Sequence, residues 1–477
     1  MSFATPLFLW FFMPVVLLAY AAVPPRLRNA LLAAVSLVFY AWGAHAILFV
    51  FLASILGNYV AGRLIGHARE AGRETTARRL MWTAVVGNLL VLFAWKYTVF
   101  AVDQLNSALG LFGDGSIPEP SIVLPIGISF FTFHGISYVV DVTRGDARPM
   151  RSIADYAQYM AFFPQLIAGP IIRYHQIEDQ IRTPPPRSSR LEDIAEGFPR
   201  FALGLCKKVL IADQVAPVAN AAFSDPSGLT TAGAWIGALA FTVQIYFDFS
   251  GYSDMAIGLA RMFGFRFPEN FDRPYSAVSM TDFWRRWHIT LSRWFRDYVY
   301  IPLGGSRVSQ AVTVRNLLLI FLLVGAWHGA AWTFVLWGVY NGALLVGERL
   351  TGISQLAADR LAAVRRAGTF LLVVFGWVLF RAGSVGAALQ VYGAMFSPQF
   401  GELPSDVHEA LVAPAVLALV VGVASALLPR GLVIGRLVEG GWDGWPLRAR
   451  VAVLVAVPFA AITVAAGSFS PFLYFQF

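Results

Sequence analysis

The sequence is poor in cysteine and in charge. Charged residues make up 13% of its 477 positions, against about a quarter in an ordinary soluble protein. Its one cysteine, Cys206, has no second cysteine to form an internal disulfide with, so cysteine content gives no information about the redox compartment. The seven histidines form neither an HExxH motif nor a Cys/His cluster. We therefore expect neither a structural nor a catalytic metal.

Apolar side chains, by contrast, are abundant. Hydrophobic residues make up 57% of the chain, and the mean hydropathy is +0.62. This composition predicts an all-α polytopic membrane protein instead of two or three soluble domains. Arg26 and Arg28 follow the first apolar run and do not precede it. We therefore expect this run to be a membrane span and not a cleaved signal peptide.

The apolar runs predict about 10–12 transmembrane helices in one domain covering residues 1–477. The run 313–348 is too long for one pass, and its small-residue centre, VGAWHGAA, predicts a helical hairpin. Residues 156–172 contain Pro164 and Gly169-Pro170, which predict a re-entrant segment. The remaining candidate spans are 7–23, 30–42, 45–62, 81–101, 122–142, 200–222, 233–250, 368–383, 411–428 and 450–467.

Basic residues are concentrated in alternate loops. Three loops contain acidic residues and neither lysine nor arginine, and the positive-inside rule places them outside the cell: 102–121, 223–232 and 384–410. The rule places the basic loops in the cytoplasm: 63–79, 144–151, 173–190, 261–315, 349–366 and 430–450. This alternation is consistent with both chain termini lying outside.

Residues 261–312 combine aromatic and basic side chains and are expected to form a cytosolic, interfacial and amphipathic region. Within them, DFWRRWHITLSRWFRDYVY has helical spacing, and one stripe carries Trp284, Trp287, Leu291, Trp294 and Tyr298. Such a helix is expected to lie in the membrane interface.

Arg285 and Arg296 lie on the neighbouring face of this predicted helix. One interpretation is that they anchor the chain at the membrane surface. The other is that they bind an anionic donor through its phosphates. Upstream, Asp248 and Ser250 lie at the end of a predicted span. They are expected either to pair with the downstream arginines or to contact substrate.

His328 lies in LLLIFLLVGAWHGAAWTFVLWGVYNG, residues 317–342, where a titratable ring is costly. An ionisable residue inside a membrane is by default a candidate for function, although a packed core histidine is the alternative. Trp327 and Asn341 are near enough in sequence to be considered as hydrogen-bond donors to a reacting oxygen. The tryptophan serves equally well as a packing group.

Several long motifs in order resemble the membrane-bound O-acyltransferase (MBOAT) family, and most closely its bacterial branch that includes the alginate O-acetylation protein. They are LPIGISFFTFHGISYVVDV, FFPQLIAGPIIRYHQI, YFDFSGYSDMAIGLARMFGFRFPENF, FWRRWHITLSRWFRDYVYIPLGG and GAWHGAAWTFVLWGVYNG. The resemblance implies that His328 is the catalytic histidine and His288 the second motif histidine. It also implies a central funnel that joins a cytosolic donor site to an outside acceptor. His134 departs from the pattern and adds a third candidate.

The resemblance further implies an O-acyltransferase of the bacterial inner membrane. It would move an acetyl group from a cytosolic thioester donor, acetyl-CoA or an acyl carrier, for O-acetylation of an extracytoplasmic polysaccharide such as alginate. A periplasmic SGNH or serine-esterase-type transferase and polysaccharide assembly proteins would be its partners. We expect no permanently bound cofactor, contact with membrane lipids and no nucleic acid. The alternatives are a non-catalytic transporter or flippase, and a scaffold of a polysaccharide export complex.

Overall fold

The computed structural model describes residues 2–44, 47–113, 116–184, 190–353, 361–427, 447–465 and 472–473. Every regular element within these ranges is a helix. The chain divides into two compact units, which we describe separately. Unit 1 comprises Trp10–Ile194 and Ala260–Phe267, and unit 2 comprises Ser2–Leu9, Ala195–Leu259 and Pro268–Phe477.

Unit 1 contains two long apolar helices, α3 (Leu48–Glu70) and α4 (Glu74–Lys96), and few of their side chains are buried. Exposed apolar surface on this scale is typical of a face that contacts lipid. The helices of this unit are α1 (Met13–Ala22), α2 (Arg28–Ala44), α3 (Leu48–Glu70), α4 (Glu74–Lys96), α5 (Thr98–Leu109), α6 (Ile128–Arg144), α7 (Ile153–Ala161), α8 (Phe163–Leu166) and α9 (Tyr174–Arg182).

The segment 156–172, which is predicted to be re-entrant, contains a helix break, and re-entry itself stays a prediction. Helix α7 ends at Ala161, α8 is a single turn that begins next to Pro164, and the chain from Ile167 to Arg173 is irregular. Gly169 packs so closely on Gln165 that a Cβ would collide with its backbone. All of the residues between Phe162 and Ile172 are buried. Burial within protein is the condition under which irregular backbone is tolerated at membrane depth.

Unit 2 contains most of α10 and α12 and all of the later helices. Its helices are α10 (Arg190–Lys207), α11 (Asp213–Ser224), α12 (Thr231–Met262), α13 (Met280–Arg286), α14 (Ile289–Phe295), α15 (Gln310–His328), α16 (Trp332–Thr351), α17 (Ala362–Arg381), α18 (Val385–Phe396), α19 (Ser405–Ala410), α20 (Ala413–Leu427) and α21 (Leu447–Ala465).

Five helices in the described ranges are long and apolar enough to cross a membrane: α3, α4, α12, α15 and α17. Shorter apolar helices cover Phe8–Ala22, Val385–Phe396, Ala413–Ser425 and Val455–Ala465. The all-α polytopic class is thereby confirmed. The number of passes, the single domain and the central funnel stay predictions. Residues 45–46, 428 and 466–467 of the predicted spans lie outside the described residues.

Helical backbone continues through the whole of the predicted span 200–222, and its role as one pass stays a prediction. A π-helical turn at Lys208–Ala212 joins α10 to α11, and it brings the Lys208 ammonium within 2.7 Å of carboxylate oxygens of both Asp213 and Asp248. Within the predicted span 122–142, helix begins only at Ile128.

The predicted hairpin in 313–348 is confirmed. Helix α15 ends at His328, an extended segment begins at Gly329, and α16 starts at Trp332. Two glycines allow the helices to approach closely. A Cβ on Gly325 would collide with the carbonyl oxygen of Phe334, and one on Gly338 with that of Phe321. Small residues at such contacts are typical of membrane helix pairs.

The single helix predicted over DFWRRWHITLSRWFRDYVY is wrong. His288, with φ 42° and ψ 54°, has left-handed backbone and separates α13 from α14. The tryptophans of the predicted stripe do not face lipid or water, because Trp284, Trp287 and Trp294 are buried. The interfacial position of residues 261–312 stays a prediction. Their rings pack within unit 2, for example Trp284 against Phe321 at 4.9 Å between ring centroids.

Candidate active site

His328 is the last residue of α15 and is surrounded by aromatic rings. Its ring centroid lies 4.9 Å from Trp327, 5.2 Å from Trp337 and 5.1 Å from Phe380. The residue is 6% exposed. The break that follows at Gly329 ends the helix at this histidine, so its ring lies at a junction of α15, α16 and α17.

His288 is fully buried and is held by Asn270. The Asn270 Oδ1 lies 3.1 Å from His288 Nδ1 and also accepts hydrogen bonds from the backbone N–H and the hydroxyl of Thr290. Because a backbone N–H can only donate, this atom must be the amide oxygen, and Nδ1 must carry the proton. The other nitrogen of the neutral ring, Nε2, then carries the lone pair.

Burial lowers the pKa of His288 to about 3. The cost of placing an imidazolium in apolar surroundings is the physical cause. Phe249 supplies part of those surroundings, with its ring edge-on at 4.7 Å between centroids. His288 is consequently neutral at physiological pH, and it can accept a hydrogen bond at Nε2.

Trp327 contacts the rings of both histidines. Its ring centroid is 6.1 Å from that of His288 and 4.9 Å from that of His328. The structure therefore brings His288, Trp327 and His328 together, as their assignment to one site requires. Because the indole contacts both rings, displacing one imidazole would also shift the packing around the other.

Asn341 connects two of the surrounding elements. Its Oδ1 accepts a hydrogen bond from Trp284 Nε1 at 3.3 Å, and its Nδ2 donates to the carbonyl oxygen of Trp337 at 2.8 Å. It thus links α13 to α16, and it also lines a small cavity beside Trp337 and Trp377.

The two residues at the end of the predicted span, Asp248 and Ser250, are buried. In the ranges that the structure describes, no downstream arginine pairs with Asp248. One of its oxygens binds Lys208 at 2.7 Å, and the other accepts a hydrogen bond from the backbone N–H of Leu473 at 2.8 Å. No hydrogen-bond partner is found for Ser250 Oγ in the described part of the chain. The expectation that Asp248 pairs with a downstream arginine is therefore wrong, because its partner is the upstream Lys208.

The two arginines assigned to donor binding are exposed. Arg285 lies in α13, and Arg296 begins the π-helical segment after α14. Arg296 binds its neighbour Asp297 through Nε at 2.7 Å. An exposed pair of this kind is weak, so the guanidinium is accessible to a competing anion.

His134, the third candidate histidine, lies in α6 of unit 1 and is fully buried. Its ring centroid lies 5.5 Å from that of Tyr159. Within the described ranges neither ring nitrogen has a hydrogen-bond partner. Its assignment as a structural or tunnel-lining group stays a prediction.

Sequence reasoning missed Asn270, Trp337 and Phe380. Asn270 lies in FRFPENF, where a lone amide among charged and aromatic residues gives no signal of its buried role. Trp337 follows His328 by nine positions in the predicted hairpin, and this nearness in sequence was the available signal. Phe380 comes from α17, so only the packing of that helix against α16 identifies it.

In this helical membrane chain His288 and His328 are both buried, each lies at a helix boundary, and both rings contact Trp327. The family model of the membrane-bound O-acyltransferases matches residues 73–385, and the chain belongs to this family. It is an integral membrane O-acyltransferase.

Within the family, the chain belongs to the branch of the alginate O-acetylases. It is 45% identical to "Probable alginate O-acetylase AlgI" of Azotobacter vinelandii and 42% identical to the protein of the same name of Pseudomonas putida, in both cases over 100% of each chain. It is also 36% identical to the "Peptidoglycan O-acetyltransferase" of Helicobacter pylori, over 82% of this chain and 79% of that one.

Proposed function

We propose that this enzyme takes an acetyl group from a cytosolic thioester, acetyl-CoA, for O-acetylation of an extracytoplasmic polysaccharide such as alginate. The full-length similarity to alginate O-acetylases supports this acyl group and this class of acceptor. The enzyme would act in the bacterial inner membrane, and a periplasmic transferase of the serine-esterase type would complete the transfer to the polymer.

The observation that carries the proposal is the position of His328 at the end of α15, buried among aromatic rings but not completely enclosed. In the proposed step, His328 takes the proton of the acceptor hydroxyl as its oxygen attacks the thioester carbonyl carbon. The tetrahedral intermediate collapses with loss of the carbon–sulfur bond. The leaving thiolate takes this proton from the His328 imidazolium, so an ester and a free thiol are formed and the imidazole is neutral again.

His288 has a supporting role in this proposal. Its Nδ1 proton is held by Asn270, so its Nε2 is oriented and can accept a hydrogen bond from the acceptor hydroxyl or from a water. Trp327 contacts both rings and so links the position of His288 to that of His328. Exposed Arg285 and Arg296 would bind the phosphates of the donor, because guanidinium groups match phosphate oxygens bidentately.

Replacement of His328 tests the proposal directly. Purified protein in vesicles is incubated with acetyl-CoA that carries a label in its acetyl group, together with a soluble acceptor that has a hydroxyl group. The free thiol released and the labelled product formed are measured over time. We expect His328→Ala to lower thioester turnover by about 10²–10⁴-fold, the usual contribution of a general base. In cells the same variant should abolish surface O-acetylation, although the amount of protein in the membrane stays normal.

His408→Ala is the matched control, since His408 is exposed in the short helix α19 and should retain wild-type turnover. Thioester consumption by His328→Ala at the wild-type rate would contradict the assignment. Movement of label across the membrane without consumption of thioester by the wild type would instead indicate a transporter.

A further inference from the structure

We propose that three aromatic side chains, Trp337, Trp377 and Phe380, restrict the acyl group to acetyl. We call them the aromatic wall. Two of its members, Trp337 and Phe380, lie against the His328 ring, with centroids at 5.2 and 5.1 Å. The inference rests on the proposed function, because it concerns the acyl group that His328 would meet.

The aromatic wall is a closed triangle of rings. Trp337 stacks on Trp377 at 6.0 Å with an interplanar angle of 17°, and each indole meets Phe380 edge-on, at 5.3 and 5.5 Å. All three residues are buried, at 2%, 2% and 3% exposure. Because each ring is in contact with the other two, none can turn away without displacing a neighbour.

One hydrogen bond fixes the wall further. Trp377 Nε1 donates to the hydroxyl of Tyr275 at 3.1 Å, and that hydroxyl donates in turn to the carbonyl oxygen of Thr242 at 2.6 Å. A chain of bonds from α12 to α17 thereby sets the position of the indole. A longer acyl chain that met the wall would have to distort close-packed rings, which a well-packed interior resists.

A small cavity adjoins the wall. It is lined by Trp337, Trp377, Asn341, Phe283, Val373 and Gly376, and it has room for about one water molecule. His328 does not line this cavity, whereas Trp337 borders both the cavity and the His328 ring. Shortening Trp337 should therefore join the cavity to the space beside the histidine.

Gly376 offers a way to reverse that change. A Cβ built on this glycine would lie 3.3 Å from Tyr340 Cε1 and 3.7 Å from Trp337 Nε1. A methyl group fits there with a small shift of Tyr340, and it would occupy part of the cavity. Gly376→Ala should consequently reduce whatever space Trp337→Leu creates.

The experiment compares acetyl-CoA with butyryl-CoA as donors for purified protein in vesicles. We expect the wild type to prefer acetyl-CoA by at least ten-fold in kcat/KM, since one methylene in a tight apolar site changes kcat/KM by about 10–200-fold. Trp337→Leu should lower that preference by ten-fold or more. The double variant Trp337→Leu/Gly376→Ala should recover part of it.

Trp332→Leu is the matched control, because Trp332 is in the same helix α16 but is 53% exposed. It should keep the wild-type donor preference. If Trp337→Leu does not accumulate in the membrane, Trp377→Leu removes another member of the wall and should shift the preference in the same direction.

Equal use of both donors by the wild type would overturn the role of the aromatic wall and leave the proposed acyl transfer intact. If an active Trp337→Leu or Trp377→Leu variant kept the wild-type preference for acetyl-CoA over butyryl-CoA, this role would also be overturned. Failure of the wild type to consume either thioester would overturn the proposed donor, and the role of the wall with it.

Discussion

At the scale of single residues, Asn270 organises the second histidine. Its side-chain oxygen accepts from His288 and twice from Thr290, its Nδ2 donates to Ser253 Oγ at 3.0 Å, and its backbone oxygen accepts from Ile289 at 2.9 Å. These bonds support the left-handed backbone of His288, a conformation that costs a non-glycine residue about 1–3 kcal/mol. One buried amide thus determines both the tautomer and the position of this imidazole.

We predict that Asn270→Ala destabilises the protein and lowers thioester turnover. The variant leaves the buried donors of His288 and Thr290 without their acceptor, and each unsatisfied donor costs about 1–3 kcal/mol. Ser253→Ala is the matched control, because it removes one partner of the Asn270 Nδ2 and leaves the His288 contact in place. Thermal unfolding in detergent and turnover in vesicles measure the two effects. Unfolding of Asn270→Ala at the wild-type temperature would contradict the prediction.

At the scale of elements, the contact between α15 and α16 sets the position of His328. Gly325 and Gly338 let the two backbones touch, and dispersion contacts at this distance are the main attraction between helices in lipid. Because His328 is the final residue of α15, a small separation of the helices changes its distance to Trp337.

We predict that Gly338→Ala lowers both stability and turnover. Its methyl group would collide with the Phe321 carbonyl oxygen, and overpacking of this kind costs about 1–3 kcal/mol. Gly347→Ala, in the same helix, meets nothing within 4 Å and should be neutral or slightly stabilising. Thermal unfolding and acetyl-CoA turnover of the two variants, compared side by side, provide the measurement. Equal behaviour of both variants would show that the contact does not position His328.

The sequence predicted this hairpin but not the break at His288, and the difference has a physical reason. The small residues of VGAWHGAA are a local signal, since they weaken a helix and permit close packing. Around His288 the aromatic spacing continues on both sides, so periodicity predicts one helix. The reversal of φ at one residue depends on Asn270, which is outside the periodic segment. The aromatic wall was equally invisible, because Trp377 and Phe380 join it only through tertiary packing.

At the scale of the whole molecule, composition predicted the fold class. A surface that contacts lipid must be apolar, and this requirement raises the share of hydrophobic residues in the whole chain. The sequence predicted that the buried carboxylates have partners, since a carboxylate in an apolar interior needs one. It did not predict which residues these partners are. Asp254 binds Arg200 and Lys207, both at 2.6 Å, and these cations precede it in the chain instead of following it.

Lys208 is central to a second buried ion cluster, which joins distant parts of unit 2. Its ammonium lies 2.7 Å from carboxylate oxygens of Asp213 and Asp248 and 4.7 Å from the centroid of the Phe472 ring. Asp248 also accepts the backbone N–H of Leu473. The cluster therefore ties the π-helical turn and α12 to residues near the C-terminus.

We predict that Lys208→Ala strongly impairs accumulation of the protein in the membrane. It would leave two buried carboxylates close together without a cation, and removal of one partner of a buried ion pair costs about 3–5 kcal/mol. Lys207→Ala is the matched control, since its partner Asp254 keeps Arg200 and the loss should be smaller.

Adding Asp213→Asn and Asp248→Asn to Lys208→Met removes the uncompensated charges and should recover much of the stability. Membrane abundance and thermal unfolding distinguish these variants. If the triple variant accumulated no better than Lys208→Ala, charge compensation would not be the reason for the cluster.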